Sequence, residues 1–432
     1  MLEAAINAFK IADLRRKILF TLMILVIFRF IATIPIPGVD REALRLLLEQ
    51  NQLLGMLNLF SGSTLTNFSI AAMGVYPYIT ASIIMQLMTP IIPKLDELSK
   101  EGQQGRQKIT KYQHYLTVPL ALLQGYGQCI LMRQQGVLSD FGIMNSDTAL
   151  RSVAILATLV AGTMLLVWLG ELITENGIGN GISIIIFGGI VASLPATVGN
   201  LIFSGSTSEN VIGTFAFVAL GLLTIVGIVM LNEGQRRIPV HHAKRVRRGR
   251  MYGGSSTHIP LKVNSAGMIP LIFAVSIMVF PGLVSNFLTG SERPWLRDLA
   301  ADMARFFDAN TLQYQVIYFL MVVAFTYFYT MVVFQQQNIA ENLQRQGAFI
   351  PGIRPGPNTH RYLTGVLTRI TLVGALSLGT IAILPYVVSQ ITGIQTLLLG
   401  STSLLIVVGV AVDTMRQLEA QLMMRNYEGF IN

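Results

Sequence analysis

The chain has 432 residues, of which 52% are apolar and only 12% charged, where a soluble domain carries about 25% charged residues. Its charges are clumped: Asp, Glu, Lys and Arg are absent from 50–93, 112–132, 152–170, 176–208, 210–232, 263–291, 309–340 and 370–412. Apolar runs of that length without charge read as membrane spans, which excludes a soluble enzyme, a disulfide-built secreted scaffold and a disordered chain in favour of a polytopic helical membrane protein.

In residues 1–17, Leu2, Ala5, Ile6 and Phe9 fall at i, i+3, i+4, i+7, the stripe of an amphipathic helix suited to a membrane surface. The first span, about Ile18–Ile34, is too long for a signal peptide, and Pro35, Pro37 and Gly38 follow it in place of a cleavage site. Spans are predicted near 18–36, 75–92, 114–132, 152–171, 182–203, 211–231, 266–288, 313–334, 368–388 and 397–413. The run 370–412 breaks at Ser389, Gln390, Thr392, Gly393 and Gln395, so it makes two spans. The run 50–93 makes only one, because Ser61, Gly62, Ser63, Thr64, Thr66, Asn67 and Ser69 are too polar to face lipid. At membrane depth such a stretch must be buried in protein or line an aqueous cavity. A short half-helix is expected there.

Lys plus Arg number 23 on the N-terminal side of these ten spans and 7 on the other, which predicts that both termini are cytoplasmic. Ten spans divide into five plus five, and an odd-numbered half forces its partner into inverted orientation, as in many transport proteins. The expected organisation is a surface helix over 1–17, halves over 18–203 and 204–413, cytoplasmic loops at 232–262 and 335–367, and a tail over 414–432.

No span carries an acidic residue near its middle, where ion-coupled transporters keep theirs. Arg29 is the one clear intramembrane charge, and it is expected to tie span 1 to a neighbour's carbonyls. There is no phosphate-binding Gly-x-x-x-x-Gly-Lys-Ser/Thr, and Gly177-Ile178-Gly179-Asn180-Gly181 reads as a tight turn. His114, His241, His242, His258 and His360 show no Asp/Glu partner pattern and are expected to be solvated. Cys129 reads as packing. No metal or cofactor is implied.

Four constellations remain. The hydroxyl-rich segment Phe60–Gly74 precedes an apolar helix. Ile79 and Ile83 lie on one face of that helix, while Ile186, Ile272 and Ile406 lie within three other spans; converging branched aliphatics exclude water by dewetting. Gln86, Thr89, Gln124 and Asn264 are polar residues at or near spans that can bond across helices. Finally, Arg236, Arg237, Lys244, Arg245, Arg247, Arg248, Arg250 and Lys262 exceed what orientation needs and suit phosphate backbones or acidic protein faces. Residues 350–357, Ile-Pro-Gly-Ile-Arg-Pro-Gly-Pro, form a stiff turn presenting Arg354.

Several segments, in order, resemble the SecY family of protein-conducting channels. They are Asn58-Leu59-Phe60-Ser61-Gly62, Pro77-Tyr78-Ile79-Thr80-Ala81-Ser82-Ile83-Ile84-Met85-Gln86, Leu98-Ser99-Lys100-Glu101-Gly102 and Ile173–Gly181. Further on come Gln235-Arg236-Arg237-Ile238-Pro239, Tyr252-Gly253-Gly254, Gly347–Gly356, Ser403–Val408 and Asn426-Tyr427-Glu428-Gly429. The resemblance implies an all-α fold of ten transmembrane helices in two inverted five-helix halves around an hourglass pore. It further implies a constriction ring of Ile79, Ile83, Ile186, Ile272 and Ile406, and a re-entrant plug half-helix at about 61–72 including Ser61, Gly62, Ser63, Thr64, Asn67 and Ser69. A lateral gate would run past Gln86, Thr89, Gln124 and Asn264. The basic loops would dock the ribosome and the SecA motor ATPase, with Arg354 an important contact. SecE and SecG subunits, signal sequences, nascent polypeptides and membrane lipid would be the other partners, in a bacterial plasma membrane. Two alternatives compete: a secondary transporter for a small solute, which needs a midplane site not found here, and an intramembrane enzyme or insertase, for which Arg29 is the single candidate.

Overall fold

The structure is a computed structural model that describes all residues except 1–8, 10, 51–57, 59–60, 63, 139–140, 143–145, 204–207, 243–244, 248–249, 253–255, 290–292, 309–310, 393–395 and 429–432. The expected surface helix therefore lies mostly outside the described residues, as do Ser63, Lys244 and Arg248. From Ala12 onward the chain is in helix α1 (Ala12–Thr33), which covers most of the first expected span. After it come α2 (Arg41–Gln50), α3 (Tyr76–Met88), α4 (Pro93–Lys100), α5 (Gln103–Gln134), α6 (Ser146–Asn176), α7 (Gly181–Phe203) and α8 (Ser208–Glu233). The later helices are α9 (Ile269–Thr289), α10 (Pro294–Phe306), α11 (Leu312–Gln337), α12 (Ile339–Arg345), α13 (Pro357–Thr392) and α14 (Thr396–Glu428).

Among the described residues, three stretches are by themselves long and apolar enough to cross a membrane: 148–176, 312–345 and 357–388. Helices α3 and α4 form a further apolar pair bent by 99°; α3 ends where Pro90 has no amide donor to continue the helical bonding, and Pro93 opens α4 at a position that needs none. The surface of α1 is inverted relative to a soluble protein. Leu19, Leu22, Met23, Val26 and Phe30 form an exposed stripe, while Thr21, Ile24 and Phe28 are buried. Contiguous apolar surface of this kind belongs against lipid. The glycine-rich stretch after α6 is the expected tight turn, with Gly179 at φ 83° and the Ile178 amide donating to Thr21 Oγ1 of α1 (3.3 Å).

The chain forms two compact units. The first comprises 1–221, 275–315 and 385–432; the second comprises 222–274 and 316–384. These follow packing, and are a different partition from the symmetry halves expected of the sequence. In the first unit α3 packs on α5, α5 on α6, α6 on α7, and α1 and α14 on this group. A small core of Leu14, Ile178, Leu418 and Leu422 joins helix ends.

The second unit corrects the all-α expectation. The described residues of the 232–262 loop are largely β-structure: β1 (Gln235–His242) pairs antiparallel with β4 (Ser256–Lys262), and β2 (Arg245–Arg247) with β3 (Arg250–Tyr252). A two-residue strand, β5 (Ala348–Phe349), pairs with the other edge of β1, placing His241 opposite Phe349 and His242 opposite Ala348. The cause is a period of two: Ile238 and Val240 are buried while Arg237, Pro239 and His241 are exposed. Those inward residues pack with Leu261, Phe334, Ala348, Ile350, Leu363 and Leu367.

Candidate conducting site and docking surface

The hydroxyl-rich segment is largely buried, as its polarity requires, yet its described residues do not form the expected half-helix. Among them is one 3-10 turn, Leu65–Asn67, followed by turns up to α3. Hydroxyls compete with helical hydrogen bonding here: Thr64 Oγ1 donates to the Ala71 carbonyl (2.6 Å) and approaches that of Ser61 (2.9 Å), while Ser69 Oγ reaches Thr64 O (3.3 Å). Phe68, at φ 41°, then turns the chain. Ser61, Thr64 and Ser69 are buried, Asn67 is half-buried and Gly62 is buried.

Hydrogen bonds among the described residues tie this segment to its surroundings. The Ile36 amide donates to Phe68 O (3.0 Å) and the Ile70 amide to Ile34 O (3.1 Å), pinning the segment to the end of α1. Arg29 Nη1 lies 3.5 Å from Gly62 O, so the intramembrane cation does meet a neighbouring carbonyl. Two glycines let backbones touch. A Cβ on Gly189 of α7 would meet Gly62 Cα at 2.2 Å, and one on Gly162 of α6 would meet Ile70 O at 2.0 Å.

Ile79, Ile83, Ile186 and Ile406 are buried in the first unit, and Ile272 is buried in the second. Of the polar residues, Gln124 Nε2 reaches across from α5 to Thr80 Oγ1 of α3 (3.4 Å). Gln86 Nε2 bonds Ser82 Oγ (3.1 Å) and Thr89 Oγ1 bonds Met85 O (2.7 Å), both within their own helical stretch. Asn264 Nδ2 donates to Asn232 Oδ1 and to Gly267 O, both at 3.1 Å. The amide oxygens of Gln86, Gln124 and Asn264 are buried without a hydrogen-bond partner, a desolvation cost of about 1–3 kcal/mol each that a rearrangement can relieve.

Two contacts escaped the sequence reading. Tyr76 Oη of α3 donates to Ser276 O of α9 (3.0 Å), joining residues too far apart in sequence for any local pattern. His114, expected to be solvated and without an acidic partner, has Nε2 2.7 Å from Glu171 Oε1 of α6, off the line of a good hydrogen bond, with the Tyr78 ring 5.9 Å away. An isolated histidine at a span edge gives no hint of a carboxylate one helix away.

Because β5 pairs with β1, the two basic loops share a three-stranded sheet, β4-β1-β5, while β2 and β3 form a separate two-stranded one. Arg236 and Arg237 are exposed on β1, and Arg354 is exposed in the turn after β5, whose backbone is held by Thr359 Oγ1 donating to Arg354 O (3.0 Å). Arg245 lies on β2, Arg247 at its end and Arg250 at the start of β3.

Solved structures define the class to which this fold belongs. It matches one described as a protein conducting channel with a TM-score of 0.60 at 17% identity, covering 94% of this chain and 92% of that one. Sec61 in a canine ribosome-channel complex from the endoplasmic reticulum matches with a TM-score of 0.58 at 16% identity and the same coverage. Sequence comparison gives the family. Residues 69–415 match the SecY family. The protein translocase subunit SecY of Streptomyces scabiei is 44% identical over 440 residues, and that of Halalkalibacterium halodurans 44% identical over 441, each alignment covering 100% of both chains. The chain belongs to the SecY family. These relatives are translocase subunits, and they lend no support to the solute-transporter alternative.

Proposed function

We propose that the chain is the pore-forming subunit of a Sec translocon, a passive gated channel that passes unfolded secretory polypeptides across a bacterial plasma membrane and releases apolar segments sideways into lipid. Ten transmembrane helices in two inverted halves, 18–203 and 204–413, with both termini cytoplasmic, accord with the charge distribution. Ile79, Ile83, Ile186, Ile272 and Ile406 face the translocating chain, since branched aliphatic side chains exclude ions and offer a moving polymer no fixed hydrogen bond. The plug is at about 61–72, within the hydroxyl-rich segment. The Gln86, Thr89, Gln124 and Asn264 region is the lateral gate, where buried unpaired amide oxygens favour rearrangement. Energy comes from outside the chain, from a SecA motor or a ribosome on the β1–β5 platform, with SecE and SecG completing the assembly.

The observation that carries this reading is how the 61–74 segment is held. The buried hydroxyls of Thr64 and Ser69 are satisfied within the segment, so these two stay paired when it leaves its seat. What it gives up includes the Arg29, Ile34 and Ile36 contacts, at about 0.5–1.5 kcal/mol each, and the burial of Leu65 and Phe68, which an entering apolar signal sequence can replace. A gap of a few kcal/mol is the range in which a bound signal sequence can shift a two-state gate. In a Cys129→Ser background, cysteines placed singly at 79, 83, 186, 272 and 406 should each crosslink to a stalled secretory chain. Failure at all five positions, with crosslinks appearing only at lipid-facing residues such as Val26, overturns the proposal.

A further inference from the structure

Helix α10 (Pro294–Phe306) lies between α9 and α11, and its surface is divided lengthwise. Trp295, Leu299, Met303 and Phe306 follow one another at i, i+4, i+8 and i+11, which puts them on one stripe. Trp295 is 60% exposed, Leu299 and Phe306 44% each, and Met303 is half-buried. Ala300, at 0%, marks the inward side, with Leu296 and Phe307 half-buried near it. The stripe is thus the exposed flank of a wide apolar arc whose other flank, around Ala300, docks the helix.

The height of this helix is fixed by two observations. Ser285 Oγ, one turn before the end of α9, donates to the carbonyl of Ala300 in the middle of α10 at 2.7 Å, so, with α9 a span as in the proposed function, α10 crosses within about 6 Å of the end of that span. The tethers are short as well. Residues 290–293 join it to α9, a reach of at most about 14 Å, and 307–311 join it to α11, which lies in a membrane-crossing stretch. An aromatic-ended apolar stripe at that height meets the boundary between headgroups and acyl chains, where tryptophan is favoured. We propose that α10 is an interfacial anchor, with Trp295, Leu299, Met303 and Phe306 seated in the bilayer leaflet reached by the C-terminal end of α9. Its charges balance, Arg293, Arg297 and Arg305 against Asp298, Asp302 and Asp308, so the partner is the apolar interface of any bilayer and not an anionic headgroup.

The chain has two tryptophans, so Trp168→Phe leaves Trp295 as the sole reporter. The full-length variant is reconstituted with its natural partner subunits, their own tryptophans replaced by phenylalanine, into phosphatidylcholine vesicles carrying bromine either near the headgroup or deep in the acyl chain. Expected are roughly twofold quenching by the shallow label, weaker quenching by the deep one, little quenching by aqueous iodide, and the same pattern when phosphatidylglycerol is added. Quenching by iodide alone places the stripe in water and overturns the proposal. Protection from all three quenchers places a protein surface or a second copy of the chain over it and overturns it too. The Trp295→Phe variant, reporting through Trp168 on α6, verifies reconstitution independently.

Discussion

Replacing Gly162 by alanine would put a methyl group 2.0 Å from the carbonyl oxygen of Ile70 and 2.8 Å from its carbonyl carbon. Both are backbone atoms, so no side-chain rotation can relieve the overlap; either α6 moves or the 61–74 segment lifts. Overpacking of this kind costs about 1–3 kcal/mol. If the cost falls on the seated state alone, the balance between seated and unseated segment shifts about 5- to 150-fold, since 1.4 kcal/mol is a factor of ten. Alanine also raises helix propensity by about 1 kcal/mol over glycine, but that gain is present in both states and cancels from the gate equilibrium. Gly127→Ala on α5, where a Cβ meets nothing within 4 Å, carries the propensity change without the overlap and is the control.

The measurement is ion conductance of the reconstituted complex without substrate, paired with export of a protein bearing a defective signal sequence. Gly162→Ala should leak and should pass the defective signal; Gly127→Ala should behave as the parent. Gly189→Ala makes the same test from α7, where the clash is with Gly62 Cα at 2.2 Å, and serves if the first variant fails to fold. Parental conductance and stringency in both folded glycine variants would refute the seat.

Three further outcomes follow from the same geometry. Ile406→Asn should raise leak and admit weak signals, because a polar side chain at a buried ring position invites water; unchanged ion leak and stringency remove it from the ring. Arg29→Met removes a long contact to Gly62 O worth about 1 kcal/mol at most, so leak should rise no more than about fivefold, with Arg29→Lys intermediate; a complete block of export would instead give the cation a direct role. Arg354→Glu reverses an exposed charge in the turn after β5, so motor-driven export should fall several-fold with the folded channel still in the membrane, and normal export would remove Arg354 from the docking surface.

The membrane character was legible because charge-free runs are a property of the linear chain, and helices occupy the stretches that lack charge. The burial of Ser61, Thr64 and Ser69 was legible for the same reason: polar groups in an apolar run have nowhere else to go. Their conformation was not, because several hydroxyls close together can bond one another and replace helix by turns. The sheet was missed because its inward residues, Ile238, Val240 and Leu261, are few within a loop dominated by arginines, and because β5 is too short to carry a period. Tyr76 with Ser276 and His114 with Glu171 are products of helix packing, and nothing in the spacing of either residue points to its partner.

The sheet also changes how the basic loops should be understood. Read along the chain, 232–262 and 335–367 are separate docking elements, each free to serve its own partner. With β5 paired to β1, and with Ile238 and Val240 sharing a core with Ala348, Ile350, Leu363 and Leu367, neither loop can be displaced without disturbing the other. A partner that grips Arg354 therefore loads the strand that carries Arg236 and Arg237, and through Leu363 and Leu367 the first turns of α13. Such a platform suits a channel driven by partners that push or pull. Force applied at either loop reaches a membrane helix through a packed core, whereas a solvated basic loop, with the same charge and no core, would simply bend.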